Sequence, residues 1–271
     1  VIALNSFSII NKDKASTSTD TPVNSSKVIR KDLLPEERNN INIFQKNVRS
    51  VVNVSNIKTM QRSIFNRDIV DVPAGSGSGF VLDKKGHIVT NFHVIQGGNR
   101  FFVSFHNDAT QYESTVIGSA PSKDTAILKI KNPPKKLHPV SFANSEELLV
   151  GQRTFAIGNP FGLDHSMSQG IISALGRKIQ GVGGVEIHQV IQTDASINPG
   201  NSGGILLDSH GKVIGMNTAI LSKSGSSSGI GFAVPSNTIR DIVYLPARKK
   251  DIKLYCELNE DLPELVRLDE G

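Results

Sequence analysis

What most limits the fold of this chain is a succession of short apolar runs broken by Gly, Asn, Asp or Pro, with no helix-period pattern between them. The first group comprises Ser50–Val54, Gly79–Leu82, His87–Thr90, Arg100–Phe105, Ser114–Ile117 and Ala126–Ile130. A Pro-rich break, Asn132–Lys136, separates it from Arg153–Ile157, Gln169–Leu175, Gln189–Thr193, Gly204–Asp208, Val213–Asn217 and Gly231–Val234. Strands at this spacing, with no helical pattern between them, suggest sandwich or barrel modules rather than parallel βαβ units. The pattern therefore predicts an all-β chain of two six-stranded antiparallel β-barrels, over about 48–132 and 138–235, with a cleft between them.

The flanks read differently. Residues 11–32 are polar and rich in Ser and Thr, so 1–34 is expected to be a flexible arm. A short helix is predicted over about 35–47, with Pro35 in its first turn and Ile41, Phe44 and Val48 on one face. A second is predicted from Ser236 to Leu245, with Ser236 as N-cap, Ile239, Ile242 and Val243 inward, and Pro246 ending it. The main domain is thus expected to span 35–245, followed by a tail over 246–271 too short for a further domain.

Composition narrows the function classes. The net charge is +5, but the basic residues are scattered in short clusters such as Lys135-Lys136 and Arg248-Lys249-Lys250. With no Trp and three Tyr there is no aromatic platform to accompany them, so nucleic acid is not the expected partner. The single cysteine, Cys256, offers neither a disulfide framework nor Cys-based metal spacing. No metal and no cofactor are expected, and no apolar run approaches the roughly 20 residues a bilayer span needs.

Chemistry points to Asn198-Pro199-Gly200-Asn201-Ser202-Gly203-Gly204, in which Gly flanks a Ser ahead of the apolar strand Ile205-Leu206-Leu207. Glycines admit backbone conformations closed to other residues and let a substrate carbonyl come close. The N–H groups of Gly200, Asn201 and Ser202 are candidates to converge as an oxyanion hole. A solvent-facing Ser in an ordinary Gly-rich hairpin is the competing reading.

A nucleophilic Ser needs a base. Of the seven histidines, His87, His106, His138, His165, His188 and His210 sit at turns or polar strand ends and read as surface residues. His93 instead leaves the apolar run Ile88-Val89-Thr90-Asn91-Phe92 just before a Gly break. Asp124 stands at the mouth of the strand Ala126–Ile130, where it either orients an imidazole or caps a turn. The order His93, Asp124, Ser202, with His and Asp in one half and Ser in the other, is one of the known orders of a Ser-His-Asp triad.

Five blocks then resemble the Deg/HtrA family of trypsin-like serine proteases: Thr90–Ile95, Asp124–Ile130, Gly158–Leu163, Thr193–Ala195 with Asn198–Gly204, and Ile230–Pro235. The likeness runs from about Glu37 to Leu245. Ser196 and Ile205 depart from it, standing where members commonly carry Ala and Pro, and Thr125 replaces a Leu. The resemblance implies an ATP-independent endopeptidase that cleaves damaged or unfolded proteins. It also implies a homotrimer, or a hetero-oligomer with a PDZ-bearing relative.

The absence of room for a PDZ domain resembles PDZ-less members from plants. That implies the chloroplast thylakoid lumen, including peripheral association with its membrane. The alternative reading is a catalytically silent chaperone or structural subunit. Ser196, with Thr218, Ala219 and Ile220 as a further wall, predicts a small neutral S1 pocket. Mobile loops are expected at Lys58–Gly77, Gly176–Gly184 and Ser222–Gly229, and Gly75–Gly79 reads as a flexible strand entry.

Overall fold

The apolar runs become strands because most are buried on two sides. In the computed structural model, which describes residues 32–61, 69–108, 110–162, 165–181, 184, 186–218 and 229–244, every expected run forms a strand over all but its outermost residues. The first six are β1 (Val51–Gln61), β2 (Ile69–Val81), β3 (His87–Thr90), β4 (Arg100–Ser104), β5 (Tyr112–Ala120) and β6 (Thr125–Ile130). They close antiparallel as a barrel in the order β1-β2-β3-β6-β5-β4.

Next come β7 (Arg153–Gly158), β8 (Ser166–Gln180), β9 (Glu186–Thr193), β10 (Ile205–Leu207), β11 (Val213–Thr218) and β12 (Gly231–Pro235). Their ring order is β10-β11-β12-β9-β8-β7. This second ring is less even, because the register slips three times along the β8–β9 ladder.

Side-chain alternation explains why the runs are continuously apolar. Val52, Val54, Val81, Ile88 and Leu128 fill the interior of the first ring, and Ala156, Leu206, Ile214 and Ala233 that of the second. The intervening residues Val51, Phe80, Val89, Phe155, Ile157, Ile205 and Leu207 point the other way and pack together as a seam between the rings. Along β3, β7, β10, β11 and β12 neither strand face meets water, so neither selects polar residues. Full burial of each such Ile, Leu or Phe contributes about 1.5–3 kcal/mol.

Helix α1 (Pro35–Asn47) lies where the sequence places it, but its inner face differs. Ile41 is 38% exposed, and Ile43 takes its place in the seam, with Phe44 and Val48 at its sides. Asn47, one turn on, is buried because its Nδ2 donates to Ile43 O at 2.9 Å. Helix α3 (Ser236–Tyr244) buries Ile239 completely. Ser236 does not cap it: its hydroxyl donates to Ala143 O at 2.8 Å, while Ser145 Oγ accepts from Asn237 N at 3.1 Å. Pro246, the expected stop, lies outside the described residues.

Two expected mobile loops are largely strand. Within Lys58–Gly77, the segments up to Gln61 and from Ile69 are paired as the outer part of the β1–β2 ladder, and Gly176 to Gln180 belongs to β8. Gly75–Gly79 is a paired stretch of β2 rather than a loose entry. Of Ser222–Gly229 only Gly229 is described.

His87, read from the sequence as a surface residue, is buried and locked to the β2–β3 turn. Asp83 Oδ1 accepts from Lys85 N at 2.8 Å and His87 N at 3.2 Å, while Oδ2 lies 2.5 Å from His87 Nδ1. Burial pushes the Asp83 carboxyl up, but the His87 side-chain bond, its charge and the two N–H groups together hold it below the usual value of 3.8. A depressed carboxylate stabilises the fold above its unfolded pKa, and that contribution is lost as pH falls through the folded value. Asp83→Asn is therefore expected to destabilise the fold at pH 7, by no more than about 1 kcal/mol for so solvent-screened a group, with the difference shrinking as pH falls through the lowered Asp83 pKa, as read by urea melts across pH.

Candidate active site

His93 sits in a single helical turn, α2 (Phe92–Ile95), directly after β3. Asn56 on β1 fixes this turn, its amide donating to Val94 O at 3.1 Å and Gln96 O at 3.0 Å. Asp124 follows a 3₁₀ turn (Pro121–Lys123) and adopts the left-handed conformation, φ 46° and ψ 45°. Asp tolerates that region better than most residues. Its backbone N–H closes the turn on Pro121 O at 3.0 Å, and its side chain is left to face His93.

The carboxylate is buried, 5% exposed, and well supplied with donors. His93 Nδ1 lies 3.0 Å from Oδ1 and 2.9 Å from Oδ2, and the His93 backbone N–H donates to Oδ1 at 3.0 Å. Thr218 Oγ1, from β11 of the other ring, donates to Oδ2 at 2.7 Å. Asn91 Nδ2 holds the Asp124 carbonyl at 3.0 Å. With Nδ1 carrying the hydrogen toward the carboxylate, Nε2 presents its lone pair to the cleft. That is the tautomer a general base requires.

This geometry gives the Thr218 hydroxyl a role other than the pocket wall read from the sequence. Thr218 lines no pocket through its hydroxyl, which is committed to Asp124. Ser196 is exposed, its carbonyl accepting from Ser168 Oγ at 2.8 Å. Ala219 and Ile220 lie outside the described residues.

Ser202 is 4% exposed, on the loop between β9 and β10. Two glycines in it have positive φ, Gly200 at 95° and Gly203 at 85°. At Gly203 a Cβ would meet Ser78 O, Thr90 Oγ1 and Ser78 C within 3 Å, so no other residue fits without moving β2. The Ser202 carbonyl accepts from Ser78 N at 2.8 Å, which ties the loop to the first ring. Gly77 marks how close the two halves come: a Cβ there would lie 2.7 Å from Val94 Cγ2, beside His93, and 3.1 Å from Ser202 O. Among the described residues no hydrogen bond joins the Ser202 hydroxyl to the His93 ring.

The loop's N–H groups do not all point one way. Asn201 N donates to Asn198 O at 3.0 Å, so it closes a turn and does not line the expected oxyanion hole. Among the described residues the N–H groups of Gly200 and Ser202 have no protein acceptor. They are the two donors that remain for an anionic oxygen in the cleft. Sequence reasoning missed Ser78, Asn56 and the bracing role of Thr218. The polar Asn56 and Ser78 inside apolar strands were the available signal.

Comparisons with known proteins show what the chain as a whole is similar to. Residues 77–216 match the trypsin-like peptidase domain. Protease Do-like 1, chloroplastic, of Arabidopsis thaliana is 51% identical over 214 residues, covering 79% of this chain and 48% of the relative, so the chain spans about half its length. Protease Do-like 5, chloroplastic, of the same plant is 45% identical over 222 residues, covering 76% and 69%. The solved crystal structure of Deg5 superposes with a TM-score of 0.62 at 40% identity, covering 79% of this chain and 98% of that one.

Proposed function

The chain belongs to the Deg/HtrA family of trypsin-like serine endoproteases, and from that premise we propose that it cleaves damaged or unfolded proteins, without ATP, through an acyl-enzyme on Ser202. The observation that carries this reading is the buried Asp124 carboxylate, which holds His93 by Nδ1 and is itself held by Thr218. A carboxylate so supplied orients an imidazole and stabilises the imidazolium that forms on proton transfer. We read the two rings as the double barrel of trypsin-like proteases, with 35–245 as the protease domain and the site at their seam.

In the proposed reaction Ser202 Oγ attacks the scissile carbonyl as His93 Nε2 takes its proton. The tetrahedral oxyanion is received by the Gly200 and Ser202 N–H groups. His93 then delivers the proton to the leaving amine, and water repeats the cycle on the acyl-enzyme. Catalytic hydrogen bonds are often long before substrate binds and tighten in the complex, which accounts for the unmade Ser202–His93 bond. The substrate class, a small neutral S1 pocket and an oligomer, whether a homotrimer or a mixed assembly with a PDZ-bearing relative, are parts of the same proposal. So is a chloroplast location, in the thylakoid lumen.

That unmade bond also favours a second reading, a silent subunit that binds unfolded chains without cutting them. Fluorophosphonate labelling separates the two. The expected result is stoichiometric modification mapped to Ser202, together with casein digestion in the absence of ATP. An unreactive Ser202 in protein that still retains unfolded casein would establish the silent subunit instead.

A further inference from the structure

We propose that Ser78 is a positioning residue that sets the oxyanion-binding loop from the opposite ring; this rests on the protease reading above. Ser78 lies on β2, fully buried, and belongs to the Gly-Ser-Gly-Ser-Gly stretch of the first ring. Its hydroxyl reaches across the seam into two separate loops of the second ring. It donates to Gly200 O at 2.6 Å and accepts from Asn159 N at 2.8 Å. Its backbone N–H donates to Ser202 O at 2.8 Å.

A peptide unit is planar and trans, so its C=O and N–H point in opposite directions, and holding one end aims the other. The 200–201 unit is held at both ends, Gly200 O by Ser78 Oγ and Asn201 N by Asn198 O. The 202–203 unit is also held at both ends, Ser202 O by Ser78 N and Gly203 N by Asn217 O. Between them, Asn201 O accepts from Gly204 N at 3.0 Å, which turns the Ser202 N–H the other way.

Of these restraints the Ser78 hydroxyl is the one acting beside Gly200, whose φ of 95° marks a residue with wide backbone freedom. A Cβ at Gly200 would lie 2.5 Å from Pro160 Cβ, so Asn159-Pro160 forms the back wall of the same loop, and Ser78 ties that wall to β2. Removing the hydroxyl frees the 200–201 unit to pivot at Gly200. The Gly200 N–H belongs to the preceding 199–200 unit, which meets the freed unit at the Gly200 Cα, so with that anchor gone it loses its fixed aim at the oxyanion, while the His93–Asp124 pair is untouched.

The test compares wild type with Ser78→Ala on a peptide substrate and measures inhibition by a peptide boronate and by the same peptide as its carboxamide. The boronate adduct places an oxygen where the oxyanion forms; the carboxamide does not. The expected result is a fall in kcat of about 10–100-fold, below the full loss of one oxyanion donor. KM should stay within about twofold, and the boronate's advantage over the carboxamide should shrink by a factor similar to that in kcat. Ser78→Cys, which keeps the shape but donates weakly, should move the same way by less; it also serves if the alanine variant does not fold.

Unchanged kcat, or a fall in kcat with the boronate advantage intact, overturns the proposal, since a merely structural defect would weaken both ligands alike. A wild-type protein that neither cleaves peptide nor binds boronate would defeat the protease reading itself.

Discussion

Ser202→Ala is expected to reduce kcat for peptide hydrolysis by about 10⁶, leaving only what binding and the remaining oxyanion donors supply. The loop that carries Ser202 does not depend on its hydroxyl. Its carbonyl is held by Ser78 N, the neighbouring Gly203 N by Asn217 O and Gly204 N by Asn201 O, all backbone bonds that alanine retains. The variant should therefore fold with an unchanged melting temperature and still bind unfolded casein. Hydrolysis at more than a hundredth of the wild-type rate would mean that Ser202 is not the nucleophile.

Asp124→Asn is expected to cost about 10⁴ in kcat at neutral pH, by analogy with the same change in a Ser-His-Asp triad. The carboxylate is an acceptor only, and it faces the His93 N–H, His93 Nδ1 and the Thr218 hydroxyl. An amide puts an NH₂ where one of those acceptors was. With its oxygen toward the His93 N–H, its NH₂ meets Nδ1, so Nδ1 becomes the acceptor, the proton moves to Nε2, and the lone pair is withdrawn from the cleft. Because Asn fits the same space, the fold should survive, and peptide binding should change far less than kcat. Equal losses in binding and turnover, or a rate near wild type, would remove Asp124 from the orienting role. A pH–rate profile on the residual activity provides the check, since a lost acceptor changes its shape and not only its height.

Much of the architecture was legible in the chain. Runs such as Phe155–Ile157 and Ile205–Leu207 could be placed as strands because strand formation, burial and turn chemistry are written within a few residues of each other. Asn159 after the first and Asp208 after the second mark where each one stops. Their two-sided burial, with alternate residues in a ring interior and in the seam, also left the pattern without polar alternation. Helix α1 shows the limit of such reading. A 3.6-residue period allowed either Ile41 or Ile43 to face inward, and only the surface it packs against selects Ile43.

The assignments of Lys58–Gly77 and Gly176–Gly184 as loops failed for a related reason. Gly75–Gly79 is chemically loose by composition, yet pairing with β1 on one edge and with Ser202 on the other makes it the seat of the loop that carries Ser202. Close approach of two backbones demands glycine as surely as mobility permits it, and a sequence does not distinguish the two demands.

What the sequence determined by itself was the strand inventory and the order of His93, Asp124 and Ser202, since those depend on residue type and local spacing. Tertiary structure decided the direction of individual donors: the Thr218 hydroxyl onto a carboxylate 94 positions away, the Ser78 hydroxyl onto a carbonyl 122 positions away, and the Asn201 N–H back into its own turn. A hydrogen bond is defined by direction and fractions of an ångström. Those quantities exist only once the two rings have closed and met.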